Sequence, residues 1–210
     1  MKTRLGILIS GTGSNLISIA AACEAPDFPA EIALVLSNNP KAKGLNFAKE
    51  RALPTALIEH HAFDTRQAFE QAVHQELCAA KIELVCLAGF MRILSPFLVA
   101  KWPGKIINIH PSLLPAFRGL HPHQQAVEAG VRISGCTVHI VTEGLDDGPI
   151  LGQVAVPVLA NDTIKTLQQR VLEREHQLYP AVISHLCENQ QGSLISHDNA
   201  KASNHLFSIF

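Results

Sequence analysis

Asn108 and His110 stand two residues apart at the end of an apolar run, Lys105-Ile106-Ile107-Asn108-Ile109-His110, that Pro111 brings to a stop. The β-branched isoleucines read as a buried strand, and a proline, which lacks the N–H a ladder needs, marks its end. Side chains alternate along a strand, so residues i and i+2 project to one side and set an amide donor beside an imidazole. Such a pair suits a carbonyl under attack. The amide can hold an oxygen as it becomes negative and the imidazole can exchange a proton, the two demands of acyl transfer through a tetrahedral intermediate. Spacing alone leaves a second reading open, in which both are ordinary strand-end residues bonded to nearby backbone.

A second constellation lies near the start. An apolar run from Arg4 to Ser10 leads into Gly11-Thr12-Gly13-Ser14-Asn15-Leu16, and Ile17, Ile19 and Ala20 to Ala22 continue as a helix. Strand, glycine-rich turn and helix is a phosphate-binding layout, because the glycines let backbone approach an anion and the helix start offers free N–H groups. Leu16 occupies the position where a dinucleotide fingerprint needs Gly or Ala, so the loop reads as a monophosphate site or as a tight structural turn. His121 and His123 have no dedicated third ligand, and no metal site is assigned to them.

The elements that must position these groups follow from periodicity. Strands are expected at Arg4 to Ser10, Ile32 to Leu36, Thr55 to Ile58, Leu84 to Leu87 and up to His110, with helices at Gly44 to Ala52 and from Asp64, a candidate N-cap, to about Lys81. Repeated strand-then-helix units predict an α/β, Rossmann-like, mostly parallel sheet with helices on both faces. Gly135 to Thr142 and Ile150 to Val156 read as an antiparallel addition near the C-terminal end, joined by Glu143-Gly144-Leu145-Asp146-Asp147-Gly148-Pro149. A helix near Gln124 to Glu128 and a long one from Thr163 to Asn189, capped by Asp162 or Thr163, complete the pattern. Its apolar positions are Ile164, Leu167, Val171, Leu178, Val182 and Leu186. Residues 1–190 are read as one domain and 191–210 as a loosely held tail. Ligands of such sheets collect at the carboxyl ends of the strands, where the Gly11 loop, the Gly89 to Leu94 loop and the Asn108/His110 strand end can share a cleft.

Composition narrows the classes. Of 210 residues, 47% are hydrophobic and 17% charged, with a formal net charge of -1 and eleven His. That balance argues against a strongly basic nucleic-acid surface. No apolar run reaches the ~18 residues of a membrane span. Five scattered Cys without a Cys-x-x-Cys pair fit a reduced, cytoplasmic protein.

The segment Asn108-Ile109-His110-Pro111-Ser112-Leu113-Leu114-Pro115, together with Asp146-Asp147-Gly148-Pro149, resembles the folate-dependent formyltransferase superfamily. The resemblance runs from Leu5 to about Leu186 and includes Gly11 to Asn15, Phe63-Asp64-Thr65-Arg66, Ala88-Gly89-Phe90-Met91-Arg92-Ile93-Leu94 and Glu175-His176 ahead of Tyr179-Pro180. It implies a catalytic set of Asn108, His110 and Asp146. It further implies that Gly13, Ser14 and Asn15 hold a substrate phosphate and that Glu175 approaches ribose hydroxyls. Arg66, Met91, Arg92, Ile93, Leu94, Asn108, Thr142, Glu143, Gly144, Leu145 and Asp146 would line a folate pocket. The activity implied is transfer of a formyl group from 10-formyltetrahydrofolate to the amine of glycinamide ribonucleotide, in purine biosynthesis. No metal and no nucleic-acid partner are implied, and a homodimer is one possible assembly. Relatives that hydrolyse the donor or formylate tRNA carry extra domains, for which this length leaves no room. A protein that keeps the fold and only binds ligand is the remaining alternative. Arg118-Gly119 departs from the Pro-Gly more usual in the family.

Overall fold

The computed structural model describes residues 1–190, with side chains to Glu188, and the backbone of a two-residue strand at 207–208. Strands β1 (Thr3–Ile9), β2 (Ala30–Ser37), β3 (Thr55–Leu57), β4 (Leu84–Leu87), β5 (Ile106–His110), β6 (Ile133–Ile140), β7 (Ile150–Pro157) and β8 (Phe207–Ser208) form one sheet. Its order is β3-β2-β1-β4-β5-β6-β7-β8. The pairs from β3 across to β5 are parallel, and β5-β6 and β6-β7 are antiparallel. The expected α/β class, with its antiparallel addition, is the one observed. Apart from the short β8, which pairs with β7, the tail expected at 191–210 lies outside the described residues.

Among the described residues, six α-helices cover the sheet: α1 (Ser14–Cys23), α2 (Lys43–Glu50), α3 (Arg66–Ala79), α4 (Pro96–Lys101), α5 (Pro122–Glu128) and α6 (Ile164–Gln190). Strand alternation sorts the core into two layers. Leu5, Ile7 and Ile9 of β1 pack with Leu16 and Ile19 of α1, Leu45 of α2 and the buried stripe of α6. Leu8 faces the other way, toward Phe69, Val73 and Leu77 of α3 and Leu98 of α4. Fully burying each such side chain stabilises the fold by roughly 1.5–3 kcal/mol, so a strand buried on both faces carries more packing energy than an edge strand can.

Local details differ from the sequence reading in three places and settle a fourth. Thr65, not Asp64, caps α3, its Oγ1 accepting a bond of 3.1 Å from Ala68 N; Asp64 is one position too early to reach the first turn. Of the two caps read for α6, Thr163 is the one observed, accepting from Thr166 N at 3.2 Å, while Asp162 is engaged by Arg170. Helix α4 was not expected; Pro96 opens it, where its missing N–H costs nothing. Ile164 is exposed, whereas Leu167, Val171, Leu178, Val182 and Leu186 are buried as their spacing requires.

Helix α6 is pinned to the sheet close to the catalytic candidates. The buried Tyr179 hydroxyl lies 3.1 Å from both the Leu87 carbonyl, at the end of β4, and the Ile107 carbonyl, near the start of β5. Glu175 lies one turn earlier on the same helix face, which directs it toward α1. No helix among the described residues is long and apolar enough to cross a membrane.

Candidate active site

On β5, Ile107 and Ile109 enter the core shared with α6, which leaves Asn108 and His110 together on the opposite face. The antiparallel register sets His139 of β6 across from Asn108, and Thr137 across from His110. Asn108 Nδ2 lies 3.3 Å from His139 Nε2, and His139 Nδ1 lies 3.0 Å from the Ile140 carbonyl. These partners define the tautomer: Nδ1 donates to the carbonyl, and Nε2 accepts from the amide. Burial holds the His139 pKa below the usual histidine value, although the Ile140 carbonyl and Asp146 pull the other way. A neutral His139 therefore orients Asn108 and occupies one of its two amide hydrogens. The sequence reading missed this role, because it depends on the register between two strands.

Asp146 completes the group from the β6–β7 connection. Its φ is 47°, and Gly148 beside it allows the loop to fold back, since a Cβ there would collide with the Ile140 carbonyl. Asp146 Oδ2 accepts from Gly119 N at 2.9 Å and lies 3.4 Å from His110 Nδ1. Its Oδ1 is 3.7 Å from His139 Nε2, beyond hydrogen-bond range, so that contact is electrostatic only. The other nitrogen of His110, Nε2, lies 2.9 Å from the Phe117 carbonyl. Acceptors thus face both ring nitrogens of His110.

The segment delivering Phe117 and Gly119 is held from below and above. Thr137 Oγ1 donates to Ser112 O at 2.7 Å and accepts from Leu114 N at 3.0 Å, while Gln153 Nε2 reaches Leu114 O at 2.9 Å. Above, Arg118 pairs with Asp147, so the departure at Arg118 joins this segment to the Asp146 loop. Phe117, Gly119 and His121 all have positive φ, at 54°, 77° and 58°.

The glycine-rich loop follows β1, with β4 between it and β5 in the sheet. Gly13, with φ 76°, is the N-cap of α1 and supplies no side-chain cap, so the N–H groups of the first turn are available to an anion. A Cβ on Gly13 would come within 2.8 Å of Gly44 Cα, a close approach that only glycine allows. Ser14 is half-buried at the helix start. Asn15 Nδ2 donates to Glu175 Oε2 at 2.7 Å, and Asn15 Oδ1 is buried without a partner. Burial raises the Glu175 pKa above the usual carboxylate value, opposed by the Asn15 bond.

The remaining candidates divide by burial. Arg66, Met91, Arg92, Ile93, Glu143, Gly144 and Leu145 are exposed, Thr142 is half-buried, and Leu94 turns into the α3 side of the core. Arg66 donates to the Ile93 carbonyl, which joins the start of α3 to the Met91–Leu94 loop. His123 Nδ1 is buried without a partner, and burial lowers its pKa, with His110 adding to the effect. No group of three or more His, Cys, Asp or Glu able to hold a metal occurs among the described residues.

A donor amide, an imidazole backed by a carboxylate and an open helix start on the same sheet can act on a carbonyl that a group of a phosphorylated molecule attacks. Comparison with known proteins points the same way. The family model described as Formyl transferase matches residues 3–183. The chain is 49% identical over 182 residues to the trifunctional purine biosynthetic protein adenosine-3 of Gallus gallus, covering 87% of this chain but only 18% of that protein. It is 43% identical to the phosphoribosylglycinamide formyltransferase of Escherichia coli, covering 92% of this chain and 90% of the other. The crystal structure of glycinamide ribonucleotide transformylase 1 from Symbiobacterium toebii superposes with a TM-score of 0.89 at 42% identity, covering 93% of this chain and 92% of that one. Since the family match spans β1 to β7 and every candidate residue described above, the chain belongs to the formyl transferase family.

Proposed function

We propose that residues 1–190 form a single domain that transfers the formyl group of 10-formyltetrahydrofolate to the amine of glycinamide ribonucleotide, a cytoplasmic step of purine biosynthesis. The observation that carries this reading is the placement of Asp146 between His110 and His139, the residue paired across the sheet with Asn108. The open start of α1 supports a phosphate on the acceptor, and the buried Asn15–Glu175 pair supports hydroxyl recognition beside it.

The amine nitrogen attacks the formyl carbon, and the carbonyl oxygen takes the electron pair. The second amide hydrogen of Asn108 and the Nε2 hydrogen of His110 then stabilise that oxygen. For His110 to do so, the substrate oxygen must replace the Phe117 carbonyl as partner of Nε2, while Asp146 keeps hold of Nδ1. When the intermediate collapses, its bond to the folate nitrogen breaks. The attacking amine loses one proton and the folate nitrogen gains one, through His110 or a water relayed by Asp146. Formylglycinamide ribonucleotide and tetrahydrofolate leave. Arg66, Met91 to Leu94 and Thr142 to Asp146 are assigned to the donor pocket, and no step calls on a metal.

The test is to follow folate product on incubation with 10-formyltetrahydrofolate, with and without glycinamide ribonucleotide. Product is expected only with the amine. Product without it would indicate hydrolysis, and none in either case would indicate a binding protein.

A further inference from the structure

Glu70 lies on α3 one turn after Arg66 and is 1% exposed. A carboxylate that deep is costly unless its oxygens are well paired. Its Oε1 accepts from Ser95 N at 2.8 Å and from Arg66 Nε at 3.2 Å, and its Oε2 accepts from Ser95 Oγ. Arg66 in turn donates to the Ile93 carbonyl. Every one of these bonds leads to the C-terminal end of the Met91–Leu94 loop.

The other end of that loop is held by a second buried side chain. Ser10 Oγ accepts from Met91 N at 2.8 Å and donates to Asn38 Oδ1 at 2.6 Å. Between the two anchors, Met91 is 71% and Ile93 64% exposed. Water would drive two such apolar side chains inward, and the anchors keep them presented. Ser95 shows where the local chemistry is directed: it is the N-cap residue of α4, yet it makes no side-chain cap bond. Its hydroxyl goes to Glu70 instead, giving up a usual helix stabiliser to fix the loop.

We propose that Glu70 is a positioning residue for the formyl donor, clamping the Met91–Leu94 loop so that its apolar side chains are prepared for the folate before it arrives. The inference rests on the assignment of Arg66 and Met91–Leu94 to the donor pocket. Glu70 touches no substrate; it acts through Arg66 and Ser95.

Glu70→Gln keeps the shape but turns an amide donor toward groups that themselves donate. The KM for 10-formyltetrahydrofolate is expected to rise about ten- to a hundredfold, the worth of one charge-assisted hydrogen bond in an affinity. Calorimetry with tetrahydrofolate should show the same loss. The KM for glycinamide ribonucleotide and kcat at saturating donor should stay within about twofold. Ser95→Ala removes one of the bonds without costing α4 a cap, and should raise the donor KM by about threefold or more. It carries the test if Glu70→Gln does not fold. Folded variants with an unchanged donor KM, or with both KM values raised equally, would overturn the proposal while leaving formyl transfer intact. A wild-type protein that neither binds tetrahydrofolate nor turns over the donor would overturn both.

Discussion

Asp146 meets His110 Nδ1, Gly119 N and, at longer range, His139, and its side chain is 11% exposed. Its neighbour Asp147 points outward, with a side chain 53% exposed and paired to Arg118. Two adjacent acids of the same chemistry should therefore behave differently. Asp146→Asn is expected to lower kcat about a hundredfold or more, the usual scale for disabling proton transfer in a transition state. Asp147→Asn removes the same charge but loses an exposed pair worth ~1 kcal/mol at most, and its kcat should change little. Steady-state kinetics on both variants decides the matter; an inactive Asp147→Asn beside an active Asp146→Asn would shift the catalytic assignment by one residue. His139→Leu belongs to the same scale. It deprives Asn108 of its acceptor, so kcat should fall about tenfold or more with KM for both substrates nearly unchanged, whereas a loss confined to KM would argue against an orienting role.

Among the elements, the junction of β1 and α1 carries the tightest backbone constraint. Gly13→Ala would place an L side chain at φ 76° and drive a Cβ against Gly44 Cα. The left-handed backbone alone costs about 1–2 kcal/mol, and the clash adds to it. Urea denaturation should show that loss, together with a raised KM for glycinamide ribonucleotide, because α1 can no longer seat its first turn. Unchanged stability would mean that α2 moves aside. The start of α3 offers a contrast at low risk. Thr65→Ala should cost about 1 kcal/mol, while Asp64→Ala, one residue outside the cap, should cost little; equal losses would return the cap to Asp64.

For the molecule as a whole, acid is the sensitive direction. Burial holds the pKa values of His123, His139 and His176 below the usual 6.5. The unfolded chain therefore takes up protons near that pH which the folded chain refuses. Their contribution to stability is fully present above 6.5 and is lost as pH falls from there toward the folded values. His139, the most enclosed, sets most of the slope, up to ~1.4 kcal/mol per pH unit. The more exposed pair adds less, because solvent screens it. Glu175 opposes this at lower pH: its pKa is raised by burial, so its contribution is greatest below the unfolded carboxylate range and is lost as pH rises through the folded value. Urea midpoints at about pH 7.5 and about pH 5.5 should show the protein weaker at the lower pH, and a midpoint unchanged or higher there would refute the account.

The class of fold could be read from the chain itself, and spacing together with the family resemblance singled out Asn108, His110 and Asp146, the catalytic set proposed here. Each depends on local pattern: side-chain period, glycine and proline placement, and short motifs resembling a known family. Groups whose roles depend on partners far along the chain could not be read in this way. His139 orients Asn108 only because β6 runs antiparallel to β5 in one register, and a shift of one residue would turn it to the other face. Glu70 looks like a surface helix residue in sequence, and becomes a buried clamp only when α3 packs beside the start of α4. The caps of α3 and α6 were misplaced by one residue or left between two, because several adjacent polar residues can cap a helix and only the backbone geometry selects one. Periodicity decides which way a side chain points, but tertiary packing decides what it meets, and for Asn108, His110 and Glu70 the chemistry resides in what they meet.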